Sequence, residues 1–285
     1  MSQSKSTYIL ACDIGGTHIT SAIVACGTWS ILSETITRTE VNSSENAKSI
    51  FQSWTSAIKE SISHFNKPIN QIGIAMPGPF DYEEGISLMK GQNKYDSLYK
   101  LDITSALREE LESPSLEIRY INDAAAFLQG EIFATGRHQE NCILGITLGT
   151  GLGSAIWQQG AKAYDANLWN TPYKDSIFEE YLVTRWFTKR FEELSGLREP
   201  GFKEIIQKHN QTDFFQSLMI EYRTNLHQFL TFFSGRHHCN NYVIGGNIAK
   251  AWGIINKDNS FVDFNIRIGE YEEKAALIGA ASLFE

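Results

Sequence analysis

A strand-like run that ends in a glycine turn and returns as a second strand occurs twice in this 285-residue chain. The first copy reads YILACDIGGTHITSAIVACG from residue 8, and the second reads CILGITLGTGLGSAIWQQG from residue 142. In this alignment Thr147 corresponds to Asp13, and Gly149 corresponds to Gly15. A repeat separated by about half the chain favours two related α/β lobes over one continuous sheet.

Around the two copies, strand-like and helical hydrophobic patterns alternate. The segments QIGIAM, LEIRYI and NYVIGG are predicted strands. The predicted helices are SSENAKSIFQSWTSAIKESISHF, ITSALREELE, DAAAFLQGEIFATG, SIFEEYLVTRWFTKRFEELSG, DFFQSLMIEYRTNLHQFLTFFSG and EEKAALIGAASLF. This alternation is typical of an α/β protein.

Charge and cysteine content narrow the function classes. The formal net charge of −8 argues against a sequence-independent nucleic-acid binder, which needs a basic surface. The four cysteines form no CxxC pair, which argues against a cysteine-based zinc site, and adjacent residues such as His237, His238 and Cys239 rarely face one metal. No signal peptide or membrane-spanning run is visible, so we expect a cytoplasmic protein without a membrane partner.

Three glycine turns follow three predicted strands: DIGGT at residue 13, LGTGLG at 148 and VIGGN at 243. No P-loop motif is present, and the second turn lacks the Rossmann spacing. Together the turns would line a cleft with backbone amides that face a polyphosphate. Taken alone, DIGGT fits equally well a β-hairpin with Asp13 as a turn residue, or an acid placed beside a cation such as Mg²⁺.

Asp123 lies where the strand LEIRYI ends and an alanine-rich helix begins. The positive end of a helix favours a carboxylate there, and such a group can accept a proton from a hydroxyl. From these residues alone, a capping role for Asn122 or Asp123 is the simpler explanation.

The motifs DIGGT, AMPGPFD, INDAAAFLQGE, LGTGLG, VIGGN and ALIGAA, in this order over nearly the whole chain, resemble the ROK family within the sugar kinase, hexokinase and actin superfamily. The resemblance implies a duplicated ribonuclease H-like, actin/hexokinase-type fold with a nucleotide and sugar cleft between two lobes. The N-terminal lobe would comprise residues 1–121 and 272–285, and the C-terminal lobe residues 122–271. Homodimers are usual in the family, but this sequence does not show one.

The same resemblance implies roles for individual residues. It implies ATP and Mg²⁺ as cofactors, Asp123 as the catalytic base, and Asp13 as the residue that positions Mg²⁺ through water. It assigns nucleotide binding, besides Asp13, to Gly15, Gly16, Thr17, Gly149, Thr150, Gly151, Gly245, Gly246 and Asn247. It assigns sugar binding to Asn93, Asn122, Asp123, Asn167 and Asn170.

The chain departs from the family pattern at the ExGH motif and the cysteine-rich zinc motif, both of which it lacks. If NLWN replaces ExGH, Asn167 takes the position of the Glu and Asn170 that of the His, and neutral amides replace a charge-assisted sugar contact. Alternatively, NLWNTP is an ordinary turn. We expect no zinc site.

We therefore expect an ATP-dependent kinase that phosphorylates a hexose, with the 6-hydroxyl of glucose or a related sugar as the first choice. An N-acetylhexosamine kinase is the second choice, and a non-catalytic sugar-binding regulator is the alternative of another class. The repressors of the family carry a DNA-binding segment before the kinase-like part. Because the first strand begins near Tyr8, we expect no nucleic-acid partner.

Overall fold

The computed structural model describes residues 8–92 and 94–285, which form two compact units. The first unit comprises the described residues up to Gln139 together with Lys162–Tyr164 and Tyr271–Glu285. The second unit comprises Glu140–Ala161 and Asp165–Glu270.

The strands of the described residues are, in chain order, β1 (Tyr8–Ile14), β2 (His18–Ala25), β3 (Ser30–Ile31), β4 (Thr37–Glu40), β5 (Gln71–Met76), β6 (Phe80–Asp81), β7 (Ile86–Ser87), β8 (Glu117–Asn122), β9 (Cys142–Leu148), β10 (Leu152–Gln158), β11 (Tyr164–Asp165), β12 (Pro172–Tyr173), β13 (Ser176–Ile177), β14 (Asn241–Gly245) and β15 (Asn265–Ile268). The α-helices are α1 (Ala47–Ser63), α2 (Ile103–Glu110), α3 (Asp123–Thr135), α4 (Glu179–Leu182), α5 (Thr184–Ser195), α6 (Phe202–His209), α7 (Asp213–His237), α8 (Trp252–Ile255) and α9 (Glu273–Ala281). Short 3₁₀ helices cover Ser33–Thr35, Asp96–Leu98, Ala249–Ala251 and Ser282–Phe284.

Both sheets are built on the same plan. In the first, the antiparallel hairpin β1–β2 continues through the parallel strands β5 and β8. In the second, the antiparallel hairpin β9–β10 continues through the parallel strands β14 and β15. Strands β1 and β9 even share one burial pattern over seven residues, with Asp13 and Thr147 at the partly exposed sixth position. The predicted duplicated α/β fold is therefore confirmed.

The first helix shows how local sequence sets an element. Asn46 caps α1, because its side-chain oxygen accepts a hydrogen bond from the Ser49 amide at 3.1 Å. The buried face of α1 includes Ile50, Trp54 and Ile58, at the helical spacing that the sequence predicts. These side chains pack in the core that covers one face of the first sheet.

Helices α3 and α9 pack so closely where they cross that their backbones are in contact. A Cβ atom added at Gly130 would lie 1.8 Å from the Ala275 carbonyl oxygen, and one added at Gly279 would lie 1.9 Å from that of Ala126. Residues 124–132 of α3 and 275–281 of α9 are all buried. Glycine is therefore required on both sides of this crossing, because any side chain would separate the helices.

This crossing groups α3 with the first unit. The boundary expected from the sequence, between residues 121 and 122, assigns the same helix to the C-terminal lobe. The difference has a physical cause, since α3 buries its small residues against α9 and α9 packs on β1 and β5. Alanine-rich helices give no sequence signal of which neighbour they pack against.

The second unit has an aromatic core under its long helices. The rings of Phe187 and Phe202 stack at 3.7 Å, and Tyr222 of α7 packs on Phe187 at 4.4 Å. The helix expected over residues 176–196 is interrupted at Val183, whose backbone is extended (φ −107°, ψ 171°). Within the described residues, no helix has the length and apolarity needed to cross a membrane.

Replacing Gly130 or Gly279 by alanine should destabilise the protein by about 3 kcal/mol, because each methyl group would overlap the facing helix backbone. Gly235→Ala is the matched control, since Gly235 also lies inside a helix but a Cβ atom there meets nothing within 4 Å. Alanine should stabilise that position by about 0.5–1 kcal/mol. Urea unfolding of the three variants measures these changes, and destabilisation of equal size at all three positions would contradict the crossing.

Candidate functional site

The turn DIGGT joins β1 to β2. Its hairpin is closed by the Gly15 amide, which donates to the His18 carbonyl at 2.8 Å, and the Tyr95 hydroxyl donates to the Gly15 carbonyl at 2.5 Å. A Cβ atom at Gly16 would meet nothing within 4 Å, and neither Gly15 nor Gly16 has a positive φ. Folding therefore does not require glycine at residue 16, whereas a ligand that approaches the backbone closely would.

Asp13 lies next to the end of β1, at the edge of the first sheet where its parallel strands end. It pairs with Ala75 of β5, which in turn pairs with Ile121 of β8. Strand β8 then ends at Asn122, and Asp123 opens α3. Since neighbouring strands lie about 4.8 Å apart, this edge places Asp13 and the start of α3 about two strand spacings apart.

Asp13 carries an unusual charge environment. Burial raises the pKa of this carboxyl to about 7, and the negative charges of Asp123 and Glu273 raise it further while Arg38 opposes them. Arg38 forms an exposed ion pair with Glu273 at 3.0 Å. Among the described residues that influence Asp13, two carboxylates therefore add negative charge and one cation, Arg38, opposes it. Carboxylate oxygens are the ligands that Mg²⁺ prefers.

The capping question at the start of α3 has a definite outcome. The Asn122 side-chain oxygen accepts hydrogen bonds from the amides of Ala124 at 2.9 Å and Ala125 at 3.2 Å, so Asn122 is the N-cap. Its Nδ2 donates to the Tyr82 hydroxyl at 3.3 Å, and the side chain is buried. Asp123 is exposed at the first helical position, where its Oδ1 also accepts from the Ala124 amide at 2.8 Å.

The second and third glycine turns meet in the second unit. Gly246 has φ +88°, and a Cβ atom there would lie 2.3 Å from the Leu148 carbonyl oxygen. The Ile248 amide donates to that same carbonyl at 3.1 Å. Gly149 follows Leu148 directly, and Gly245 pairs with Thr147, so the turns 149–151 and 245–247 lie side by side. A Cβ atom added at Gly149 would meet nothing within 4 Å.

The segment that would replace ExGH forms a turn of its own. Asn167 has φ +51°, its amide donates to Asp165 Oδ1 at 2.7 Å, and its side-chain oxygen accepts from the Trp169 indole at 2.9 Å. Asn170 is exposed. This geometry supports the turn alternative for Asn167, and a sugar contact by either residue stays a prediction.

Asn93 lies outside the described residues. The structure adds Tyr95, which the sequence analysis did not single out: it is fully buried, has φ +56°, and ties its loop to the Gly15 carbonyl. A tyrosine in this conformation leaves no sequence signal. Arg38 was also missed, because it acts on Asp13 from β4, which pairs with β2 and lies one strand beyond the neighbour of β1.

Among the residues that the structure describes, no three His, Cys, Asp or Glu side chains come together as a metal site. A single carboxylate that holds Mg²⁺ through water would not form such a group. Asp13 with its neighbouring carboxylates fits this kind of site on the chemistry of its oxygen donors.

The chain belongs to the ROK family, whose model matches residues 9–164. No curated protein matches the sequence.

Solved structures share the fold at low sequence identity. A candidate N-acetylmannosamine kinase from Listeria monocytogenes is 19% identical, with a TM-score of 0.78 and 98% of each chain covered. A glucokinase from Streptomyces griseus, in complex with glucose and AMPPNP, is 16% identical, with a TM-score of 0.74 and a match over 97% of this chain and 99% of that one. A ROK transcriptional regulator, a homologue of the E. coli MLC protein, is 16% identical, with a TM-score of 0.70 over 97% of this chain and 77% of that one. The actin/hexokinase-type fold is therefore shared by kinases and a regulator.

Asp13→Asn should raise the thermal midpoint at pH 8 by about 2–4 °C, because it removes a charge that burial and two carboxylates disfavour. The carboxyl has a pKa of about 7 in the folded protein and 3.8 ordinarily, so the folded state binds more protons between these values. The stability difference between Asp13→Asn and the wild type should therefore grow as the pH rises from about 4 to about 7, because the contribution of the wild-type carboxyl falls over this range. Melting curves across this range test the prediction, and a gain that does not depend on pH would contradict it.

Proposed function

We propose that this chain is a sugar kinase that transfers the γ-phosphoryl group of Mg-ATP to a hexose hydroxyl, with the 6-hydroxyl of glucose or a related hexose as the preferred acceptor. The observation that supports this most is the edge of the first sheet. There, the charge of Asp123 acts on Asp13, and the adjoining turn has open space at Gly16.

In this proposal Asp123 is the general base. Its exposed carboxylate at the start of α3 accepts the proton of the sugar hydroxyl as the hydroxyl oxygen attacks phosphorus. Its hydrogen bond to the Ala124 amide fixes the carboxylate without blocking it. Asn122 and Asn93 orient the sugar, and the Tyr82 contact holds the Asn122 amide group in place.

Asp13 holds Mg²⁺ through water in this proposal. The metal, when bound, would neutralise charge on the phosphate groups of ATP. The raised pKa of Asp13 suits this role, because a cation nearby would favour the ionised carboxylate that its own surroundings disfavour.

The nucleotide is held by backbone rather than by cationic side chains. Gly15, Gly16 and Thr17 approach the terminal phosphates, and the turn 149–151 forms a second phosphate contact. The turn 245–247 lies against the adenosine, where Gly246 presents bare backbone beside Leu148. Backbone amides are suitable ligands here, since phosphoryl transfer depends on positioning and charge neutralisation.

Two other functions are outcomes of the same test. An acetylated amino sugar would be the acceptor if N-acetylglucosamine or N-acetylmannosamine, rather than a simple hexose, supports ADP release. A sugar-binding regulator would bind its sugar without turnover, and the regulator among the matched structures makes this the alternative of another class.

Asp123→Asn should lower kcat by about 100-fold or more, because the amide cannot accept the proton. It can still accept the Ala124 hydrogen bond, so folding should be preserved. Asp213→Asn is the matched control, since Asp213 is also exposed at the first position of a helix with a polar N-cap. ADP release with Mg-ATP and glucose, mannose, fructose, N-acetylglucosamine or N-acetylmannosamine measures the activity.

Sugar-dependent ADP release by the wild type and by Asp213→Asn, but not by Asp123→Asn, would support the kinase and identify the acceptor. Equal rates for all three proteins would remove Asp123 from the mechanism. A thermal shift with a sugar, without ADP release, would favour the regulator.

Gly16→Ala should raise KM for ATP by about tenfold, because a methyl group would hold the phosphates away from the turn. The melting temperature should not change, since the methyl group meets no protein atom within 4 Å. In Gly235→Ala the added methyl group also meets open space, and this variant should leave the KM for ATP and the KM for the sugar unchanged. An unaltered KM for ATP in Gly16→Ala would show that the phosphates do not approach residue 16.

A further inference from the structure

The carbonyl groups of the turn 149–151 are held from one side by the start of α5. The Gly149 carbonyl accepts hydrogen bonds from the Thr184 amide at 2.9 Å and from its Oγ1 at 3.0 Å. The Thr150 carbonyl accepts one from Arg185 Nη1 at 3.0 Å. Two successive peptide groups of the turn are therefore fixed through their oxygen atoms.

Fixing a carbonyl also fixes the next amide. In a trans peptide the C=O bond of one residue and the N–H bond of the next point in opposite directions. Both peptides of this turn are trans. The N–H groups of Thr150 and Gly151 therefore point away from Thr184 and Arg185, and neither makes a hydrogen bond within the part of the chain that the structure describes.

Arg185 is itself held in place by acids. Its guanidinium contacts Glu179 at 2.8 Å and Glu180 at 2.6 Å. Glu179 Oε2 in turn accepts from the Leu152 amide at 2.9 Å, just after the turn. A Cβ atom at Gly151 would lie 3.2 Å from the same carboxylate oxygen, so Arg185 also neutralises an acid beside the turn.

We propose that Thr184 and Arg185 are positioning residues, which aim the Thr150 and Gly151 amides at the phosphate groups of the nucleotide. The inference rests on the proposed function, since it needs a nucleotide with several phosphates as the ligand. Unpartnered N–H groups whose direction is already fixed can bind an anion with little cost of reorientation. Neither residue touches the ligand; each acts through the backbone of the turn.

The test compares ATP and AMP binding by calorimetry, in the intact protein with Mg²⁺. Thr184→Val keeps the backbone contact and loses only the Oγ1 bond, so ATP affinity should fall by about threefold, and Arg185→Gln should lower it by about tenfold. AMP carries one phosphate, so its affinity should change by less than about twofold. Thr184→Ser retains the hydroxyl and should restore wild-type ATP affinity.

Two residues of the same helix are matched controls. Thr188 donates its hydroxyl to the Arg185 carbonyl, and Arg190 pairs with Glu193 and Glu221, but neither contacts the turn. Thr188→Val and Arg190→Gln should bind ATP as the wild type does. If they weaken ATP binding equally, the effect belongs to helix stability and the positioning role is overturned.

Measuring ATP affinity at high salt distinguishes a loss of amide positioning from a change in charge near the turn. Arg185→Gln leaves Glu179 and Glu180 uncompensated near the phosphates, and this repulsion is screened at about 0.5 M salt whereas misaligned amides are not corrected. A deficit in ATP affinity that persists at high salt supports positioning, and one that disappears overturns it. If the wild type binds ATP while all variants match it, only this inference fails; if the wild type binds no ATP, the proposed function fails as well.

Discussion

The backbone contact between α3 and α9 is the constraint on which the first unit depends. Helix α9 packs on β1 and β5, and a Cβ atom at Gly73 of β5 would lie 2.0 Å from the Ala280 carbonyl oxygen. Helix α3 also lies against α9, through Gly130 and Gly279. Three glycines thus determine how closely α9 packs on the sheet and how closely α3 packs on α9. They thereby fix the position at which α3 begins.

The position of that helix start matters for chemistry. A carboxylate at the first residue of α3 can act on a ligand near Asp13 only if the helix axis is fixed relative to β1 within a fraction of an ångström. Side chains at the crossing would allow several packings, whereas backbone against backbone allows one. The crossing at Ala126 and Gly130 lies within two turns of the exposed Asp123, so the packing with α9 fixes the part of α3 from which this carboxylate projects.

Much of this arrangement could be predicted from the sequence. The duplicated strand and turn pattern is local and periodic, so both sheets and most helices follow from the apolar spacing. The capping role of Asn122 was one of two alternatives left open, and only the hydrogen bonds to Ala124 and Ala125 decide it.

Contacts between distant segments account for what could not be predicted. Tyr95 reaches Gly15 across 80 residues, and Arg185 reaches Thr150 across 35. The turn around Asn167 closes on its own side chains, an outcome that polar residues in a short segment do not specify. Helix α3 is buried over residues 124–132, so its sequence shows no single packing face, and the close contacts at Gly130 and Gly279 decide its partner.

The equivalence of Asp13 and Thr147 has a consequence for what each turn presents to a ligand. Both residues occupy the sixth position of a seven-residue strand, but only one of them bears an ionisable group. The strand and its turn therefore occur twice, whereas the carboxylate at the strand end occurs once. A ligand beside the first turn therefore meets a carboxylate at the strand end, whereas a ligand beside the second turn meets a neutral hydroxyl at the equivalent position.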